Sequence, residues 1–161
     1  VVGIIFAVVF VALKKFLPGG RPEIKAAALA GILWWSVGLL PALKYPAGPP
    51  GVGDPETVYF RQGMLLGFIA LSALAVVLAG AVYWRLGRRP GPAMIVYGIL
   101  AIVLYVAMPA NHDPVTIPLD LVREFRFLSM AGQVLFWAVL GGASSLLLSR
   151  MARQGETKVL T

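Results

Sequence analysis

Four side chains in two polar segments are the residues of this chain that could bind a metal ion. Asp54 and Glu56 close a segment rich in proline and glycine, and the second segment holds His112 and Asp113. Carboxylate oxygens and an imidazole nitrogen suit a hard or borderline divalent cation, so these residues predict a cation site. The alternative for both acids is helix capping, because Asp54-Pro55-Glu56 is typical of a helix start. His112 has the alternative of being a solvated loop residue.

A second group of polar residues lies at the ends of two long apolar runs and comprises Arg61, Glu124, Arg126 and Gln133. Polar groups inside a membrane are costly, so each needs a structural or functional reason. One hypothesis is that they line a vestibule through which an ion enters. The alternative is that Glu124 pairs with Arg61 or Arg126 and fixes two helix ends together. Helical spacing places Arg126 and Gln133 on one face, which predicts that Gln133 is held away from lipid.

Known catalytic arrangements do not occur in the sequence. It has no phosphate-binding glycine loop, no His-Glu-x-x-His, no Gly-x-Ser-x-Gly and no pair of carboxylates within an apolar run. It has no cysteine, and its five methionines are scattered at positions that suit helix contacts. We therefore predict that the protein is not an enzyme and that it has no resident cofactor.

Composition places these residues in a membrane protein. Of the 161 residues, 59% are hydrophobic and 13% are charged, and the mean hydropathy is +0.84. The apolar residues fall into five runs, at 1–17, 24–43, 58–84, 93–110 and 121–150. Because about 20 helical residues cross a hydrocarbon core of about 30 Å, the sequence predicts an all-α, polytopic membrane bundle of about five helices. Residues 1–150 would form one transmembrane domain, with 151–161 as a cytoplasmic tail.

Charge predicts the orientation. The formal net charge is +7, but Lys and Arg cluster at the ends of the apolar runs, which indicates membrane topology and not nucleic-acid binding. Ten of the fourteen fall on the side that includes residues 14–25, 85–89 and the C-terminus. That side is predicted to be cytoplasmic, and both polar segments are predicted to be extracytoplasmic. The orientation also predicts one further membrane helix upstream of Val1.

Small residues one helical turn apart predict close helix contacts. Two such pairs are Gly63 with Gly67 and Ala138 with Gly142, and a third is Gly141 with Ser145. The pairs do not distinguish contacts inside a bundle from contacts with a partner helix.

Two motifs resemble a known family. The first is LPALKYPAGPPGVGDPETV, and the second is LVREFRFLSMAGQVLFWAVLG, which carries Phe125, Arg126, Ser129, Gln133 and Trp137 at the family's spacing. Together they closely resemble the CbtA-type cobalt transporter subunits over nearly all of the chain. The resemblance implies a multi-pass protein of the bacterial or archaeal cytoplasmic membrane, a small partner with a histidine-rich tail and a further N-terminal membrane segment.

Two functions are consistent with the sequence. The first is a subunit that transports cobalt or another divalent cation, with the imidazole ligands supplied by the partner. The second is an accessory transmembrane subunit that stabilises a larger membrane complex through its small-residue faces and its proline-rich loop.

Overall fold

A computed structural model describes residues 1–111 and 117–159, with side chains described up to residue 154. In chain order the elements are α1 (Val2–Leu13), α2 (Pro22–Leu33), a π-helical segment (Trp34–Leu39), α3 (Leu40–Lys44), a 3-10 turn (Pro55–Thr57), α4 (Val58–Arg85), α5 (Pro90–Ala107) and α6 (Leu119–Val159). Over the described residues all regular structure is helical, which confirms the predicted all-α class.

Within residues 1–111 and 117–159, four continuous helical segments are long and apolar enough to cross a bilayer. They are Pro22–Lys44, Pro55–Arg85, Pro90–Ala107 and Leu119–Gln154. The shortest has 18 residues and is therefore about 27 Å long, close to the thickness of a hydrocarbon core. The first apolar run forms the 12-residue helix α1, which at about 18 Å is shorter than a full span.

Prolines mark the starts of three helical segments. Pro22, Pro55 and Pro90 each occupy the first position of a helical element, where the missing N–H has no intrahelical acceptor to lose. The turn between α4 and α5 reverses through Gly87 and Arg88, which have φ angles of +68° and +63°. Local chemistry therefore sets these boundaries.

The first of two compact units contains α1, α2 and the part of α6 from Val134 onward. Its buried core is formed by Phe6, Phe10, Ala26, Leu29 and Ala30, with Trp137, Leu140 and Leu148 packed against it. A Cβ atom added to Gly141 would lie 2.7 Å from the Cβ of Ala30, so α6 approaches α2 closely at this point. One turn further on, Ser145 Oγ donates a 2.9 Å hydrogen bond to the Glu23 carbonyl.

The second unit spans Trp34–Gln133. Its core contains Leu40, Phe68 and Ala101. The side chains packed against this core include those of Tyr45 and Tyr97. The Tyr45 ring meets the Phe68 ring edge-on, with centroids 5.7 Å apart. This contact joins the end of α3 to the first half of α4.

The π-helical segment lies in the middle of a membrane span and ends two residues before Pro41. Pro41 has no N–H for the carbonyl of Val37, and in a regular α-helix its ring would collide with that carbonyl. Wider turns before the proline accommodate the ring, as transmembrane helices allow when neighbours pack around the distortion. Ser36 and Gly38 in this segment and Pro41 after it are buried.

A pair of hydroxyl groups links α4 to α5 in the second unit. Ser72 of α4 is fully buried, and its Oγ lies 3.5 Å from the Tyr97 hydroxyl of α5. This contact links the middle of α4 to α5.

Replacing Tyr97 with phenylalanine is expected to lower the free energy of unfolding by about 1 kcal/mol, because interhelical hydrogen bonds in membranes contribute about that much. An SDS titration in mixed micelles, followed by tryptophan fluorescence, measures the change. Tyr59→Phe is the control, since Tyr59 is 86% exposed and its substitution should have no effect. Equal stability of Tyr97→Phe and the wild type would show that the hydroxyl contacts contribute nothing.

Candidate functional site

The proline-rich segment 45–57 forms a shaped loop at one end of the second unit. Gly51 and Gly53 adopt φ angles of +82° and +93°, which side-chain-bearing residues rarely adopt. Pro46 and the Pro49-Pro50 pair have fixed φ angles and no N–H groups to satisfy. The loop therefore has few conformations open to it before any side chain holds it in place.

Arg61, in the first turn of α4, hydrogen-bonds the backbone of the loop. Its two terminal guanidinium nitrogens donate to the carbonyl oxygens of Val52 and Asp54, each at 3.2 Å. A planar guanidinium suits two acceptors at once, and a charged donor makes stronger hydrogen bonds than a neutral one. One half-buried side chain thus fixes the second half of the loop to the helix that follows it.

The first half of the loop is tied to α6. The Nε atom of Arg126 donates to the Ala47 carbonyl at 3.4 Å. The sequence left open a pairing of Glu124 with Arg61 or Arg126, but both arginines donate to loop carbonyls, and Glu124 is exposed. Gln133, further along α6, is half-buried.

Lysine and tyrosine side chains tie the end of α3 to the end of α5. Lys44 Nζ donates to the Tyr105 carbonyl at 2.7 Å and lies 4.9 Å from the centre of the Tyr105 ring. The Tyr45 hydroxyl donates to the Pro109 carbonyl at 2.7 Å, and the Tyr105 hydroxyl donates to the Leu43 carbonyl at 3.4 Å. Partial desolvation raises the pKa of Tyr45, in keeping with a neutral hydroxyl that donates this bond.

These contacts gather the ends of α3 and α5 and the starts of α4 and α6 at one end of the second unit. Sequence reasoning assigned no role to Lys44, Tyr45 or Tyr105. The available signal was a tyrosine near the end of the second and of the fourth apolar run, since interfacial tyrosines commonly bond to nearby polar groups. Only the tertiary structure shows that side chains at the end of α3 donate to carbonyls at the end of α5, and that Tyr105 donates to a carbonyl of α3 in return.

Asp54 occupies the helix-start position predicted for it. Its Oδ1 accepts a 2.9 Å hydrogen bond from the Glu56 amide, and its carbonyl accepts one from the Thr57 hydroxyl at 2.9 Å. Pro55 follows as the first residue of the 3-10 turn. The carboxylates of Asp54 and Glu56 are exposed on the loop, with one oxygen of Asp54 engaged in capping.

The predicted cation site also involves His112 and Asp113, which lie outside the described residues. Among the residues that the structure does describe, no three His, Cys, Asp or Glu side chains come close enough to hold a metal ion. The site made of Asp54, Glu56, His112 and Asp113 therefore stays a prediction.

The predicted helix-packing residues differ in their surroundings. Gly141 and Ser145 contact α2 in the first unit, as described above. A Cβ added to Gly63, Gly67 or Gly142 would meet nothing within 4 Å. Ala138 is exposed, like Gly142. Within the described chain, close helix approach thus occurs at the third pair of small residues.

Comparison with known proteins adds a family to this geometry. A family model described as "CbtA: Probable cobalt transporter subunit (CbtA)" matches residues 1–149. No curated protein and no solved structure shows a significant match to the chain.

Proposed function

We propose, from the premise that this chain belongs to the CbtA family of probable cobalt transporter subunits, that it is the multi-pass membrane subunit through which divalent cobalt is taken up. The metal is cargo in this role, and the protein performs no catalysis. The observation that carries the proposal is the family match over residues 1–149. The match includes the proline-rich loop and the two helices, α4 and α6, whose arginines hydrogen-bond it.

The loop is the part of the second unit best suited to meet a cation from solution. It presents the exposed carboxylates of Asp54 and Glu56 on a backbone fixed by Arg61 and Arg126. Carboxylates attract a hydrated divalent ion, and a fixed backbone lowers the entropic cost of binding it. With His112 and Asp113 as further ligands, the loop forms the first contact for the incoming metal. Glu124 and Gln133 belong to α6, the helix whose Arg126 is bonded to the loop.

A membrane partner completes the ligand set in this proposal. Cobalt prefers imidazole nitrogen to an all-carboxylate site more strongly than calcium or magnesium does, and the chain has a single histidine. A small membrane subunit with a histidine-rich tail would supply the missing imidazoles. The partner would lie on the same side of the membrane as the loop.

The orientation follows from charge and from the contacts of the second unit. Lys44, Arg61 and Arg126 all bond near the loop, whereas Arg85, Arg88 and Arg89 lie at or just after the far end of α4. The basic excess favours a cytoplasmic location for the far end, so the loop is extracytoplasmic and the C-terminus cytoplasmic. The membrane is the cytoplasmic membrane of a bacterium or archaeon.

Two substitutions of Asp54 separate a metal ligand from a helix cap. Asparagine caps helices as well as aspartate does but carries no charge, whereas alanine removes both properties and costs about 1 kcal/mol. If Asp54 binds the incoming metal, cells producing either variant with the partner should accumulate several-fold less radiolabelled cobalt under metal limitation. If Asp54 only caps, Asp54→Asn should match the wild type and Asp54→Ala alone should fall.

The same assay tests the transport role itself. Cells with the wild-type protein and its partner should accumulate more cobalt than cells without the protein. Equal accumulation would contradict transport whatever the Asp54 variants do. The amount of the protein in the membrane is measured in each strain, as a control for differences in production.

An accessory role is the second candidate. The observation that favours it is that a Cβ added to Gly63, Gly67 or Gly142 meets no described residue within 4 Å, so these small residues are open to a helix of another subunit. Purification in mild detergent as a stoichiometric complex with a larger membrane protein, together with unchanged cobalt accumulation, would favour this role. Isolation of the chain as a monomer would argue against it.

A further inference from the structure

The turn between α4 and α5 concentrates positive charge at the end of the second unit opposite the proline-rich loop. Arg85 ends α4, Arg88 and Arg89 follow within four residues, and all three are exposed. Residues 57–112 contain no Asp or Glu. Three like charges this close repel one another unless an anion lies between or beside them.

The described carboxylates of this unit cannot neutralise the turn. Asp54 and Glu56 precede α4, whose 28 residues separate them from the turn by about 42 Å. Asp120 and Glu124 belong to the start of α6, which is tied to the loop end through Arg126. Each of these acids is therefore much further from the turn than one Debye length, which is about 8 Å at physiological ionic strength.

The turn is also held in a defined shape. Arg88 has φ +63°, in the left-handed region that residues other than glycine rarely adopt, and its amide donates to the Tyr83 carbonyl at 2.8 Å. Its guanidinium lies over the Trp84 ring, 4.4 Å from the ring centre. A guanidinium stacked on a ring keeps its N–H donors in its own plane and directed outward, so stacking leaves them available to an acceptor.

The depth of the turn specifies which anion it meets. Helix α5 begins at Pro90, and its 18 residues match the thickness of a hydrocarbon core, so the preceding residues lie at the level of lipid headgroups. Tyr83 and Trp84 sit where aromatic residues commonly mark that interface. The abundant anion at this depth is the phosphodiester of a phospholipid.

We infer that Arg85, Arg88 and Arg89 form a binding site for the headgroup of an anionic phospholipid, with Arg88 oriented by its stacking on Trp84. Guanidinium groups bind phosphate oxygens in pairs, and a lipid with net negative charge is retained better than a zwitterionic one. The site is distinct from the proline-rich loop and does not depend on what the protein transports.

Native mass spectrometry of the full chain in non-ionic detergent tests the site. The protein is titrated separately with dioleoyl phosphatidylglycerol and with dioleoyl phosphatidylcholine. We expect the wild type to bind phosphatidylglycerol more tightly than phosphatidylcholine. We expect Arg88→Gln to weaken phosphatidylglycerol binding about fivefold, which corresponds to about 1 kcal/mol for one basic residue near the headgroups. The triple Arg→Gln variant should lose the preference.

Two further variants serve as controls for this result. Arg88→Gly removes the guanidinium and tolerates the positive φ, so the turn is retained and the same fivefold loss is expected. Arg123→Gln removes an exposed arginine that lies 3.9 Å from Asp120, at the other end of the unit, and should change nothing. Unchanged SDS unfolding midpoints show that the variants fold.

Four outcomes would overturn the site. One is a wild type without preference for phosphatidylglycerol, and another is an Arg88→Gly variant that keeps the wild-type preference. Equal losses in Arg123→Gln and Arg88→Gln would assign the preference to overall charge and not to this turn. Displacement of phosphatidylglycerol by millimolar inorganic phosphate would show a site for the free anion instead of a lipid.

Discussion

Replacing Gly141 with leucine is expected to lower the free energy of unfolding by about 3 kcal/mol, at the upper end of the usual cost of overpacking. The Cβ atom alone would lie 2.7 Å from the Cβ of Ala30, which is bonded directly to the backbone of α2 and cannot rotate away. The two helices must therefore separate. Separation also lengthens the hydrogen bond from Ser145 to the Glu23 carbonyl, which is 2.9 Å in the wild type.

The neighbouring glycine gives a matched control for this substitution. A Cβ added to Gly142 meets nothing within 4 Å, so Gly142→Leu should be neutral or should stabilise α6 slightly through its better helix propensity. Gly141→Ala should cost about 1 kcal/mol, between the two. SDS titration followed by the fluorescence of tryptophans such as Trp137, which packs against this core, measures all three. Equal effects of Gly141→Leu and Gly142→Leu would refute close approach of α6 to α2.

Replacing Arg61 with methionine is expected to free the second half of the proline-rich loop. Methionine keeps much of the side-chain volume but loses both hydrogen bonds to the carbonyls of Val52 and Asp54. We expect a local cost of about 2 kcal/mol, since each bond comes from a charged donor but lies near water. That cost raises the population of the open loop about 30-fold.

Hydrogen–deuterium exchange detects this opening at the amides of Val52, Glu56 and Thr57, which are hydrogen-bonded within the loop. Their exchange should accelerate by the same factor when opening limits it. Arg123→Met is the control, because Arg123 is exposed and lies 3.9 Å from Asp120. Cobalt accumulation should fall with Arg61→Met if the fixed loop receives the metal. Unchanged exchange at all three amides would contradict the role of Arg61 in fixing the loop to α4.

The helix-start prediction for Asp54 agrees with the geometry because capping is local chemistry. The bond from the Glu56 amide to Asp54 Oδ1 spans two residues and needs no distant partner. The roles of Arg61 and Arg126 could not be obtained in the same way. Long flexible cations find whichever acceptors the fold brings near, and here these are loop carbonyls, which every sequence has in abundance.

The two family-like motifs gain a physical meaning from the same contacts. Lys44 and Tyr45 in the first motif bond to the end of α5, and Arg126 in the second motif bonds to the first motif's own loop. Residues far apart in the chain thus hold one another at one end of the second unit. The spacing of the second motif indicated a helix face but not the loop to which that face is tied.

The sequence by itself determined the all-α class, the membrane setting and the helix start at Asp54-Pro55. Hydrophobic length, helical rise and the missing N–H of proline act over a few residues, so no distant contact is needed to predict them. Only the tertiary structure decided that Gly141 meets Ala30 while Gly142 meets nothing. It also decided that the wider turns before Pro41 form a π-helix. These outcomes depend on how whole helices are rotated and offset, and identical small residues one position apart face different neighbours after a rotation of 100°.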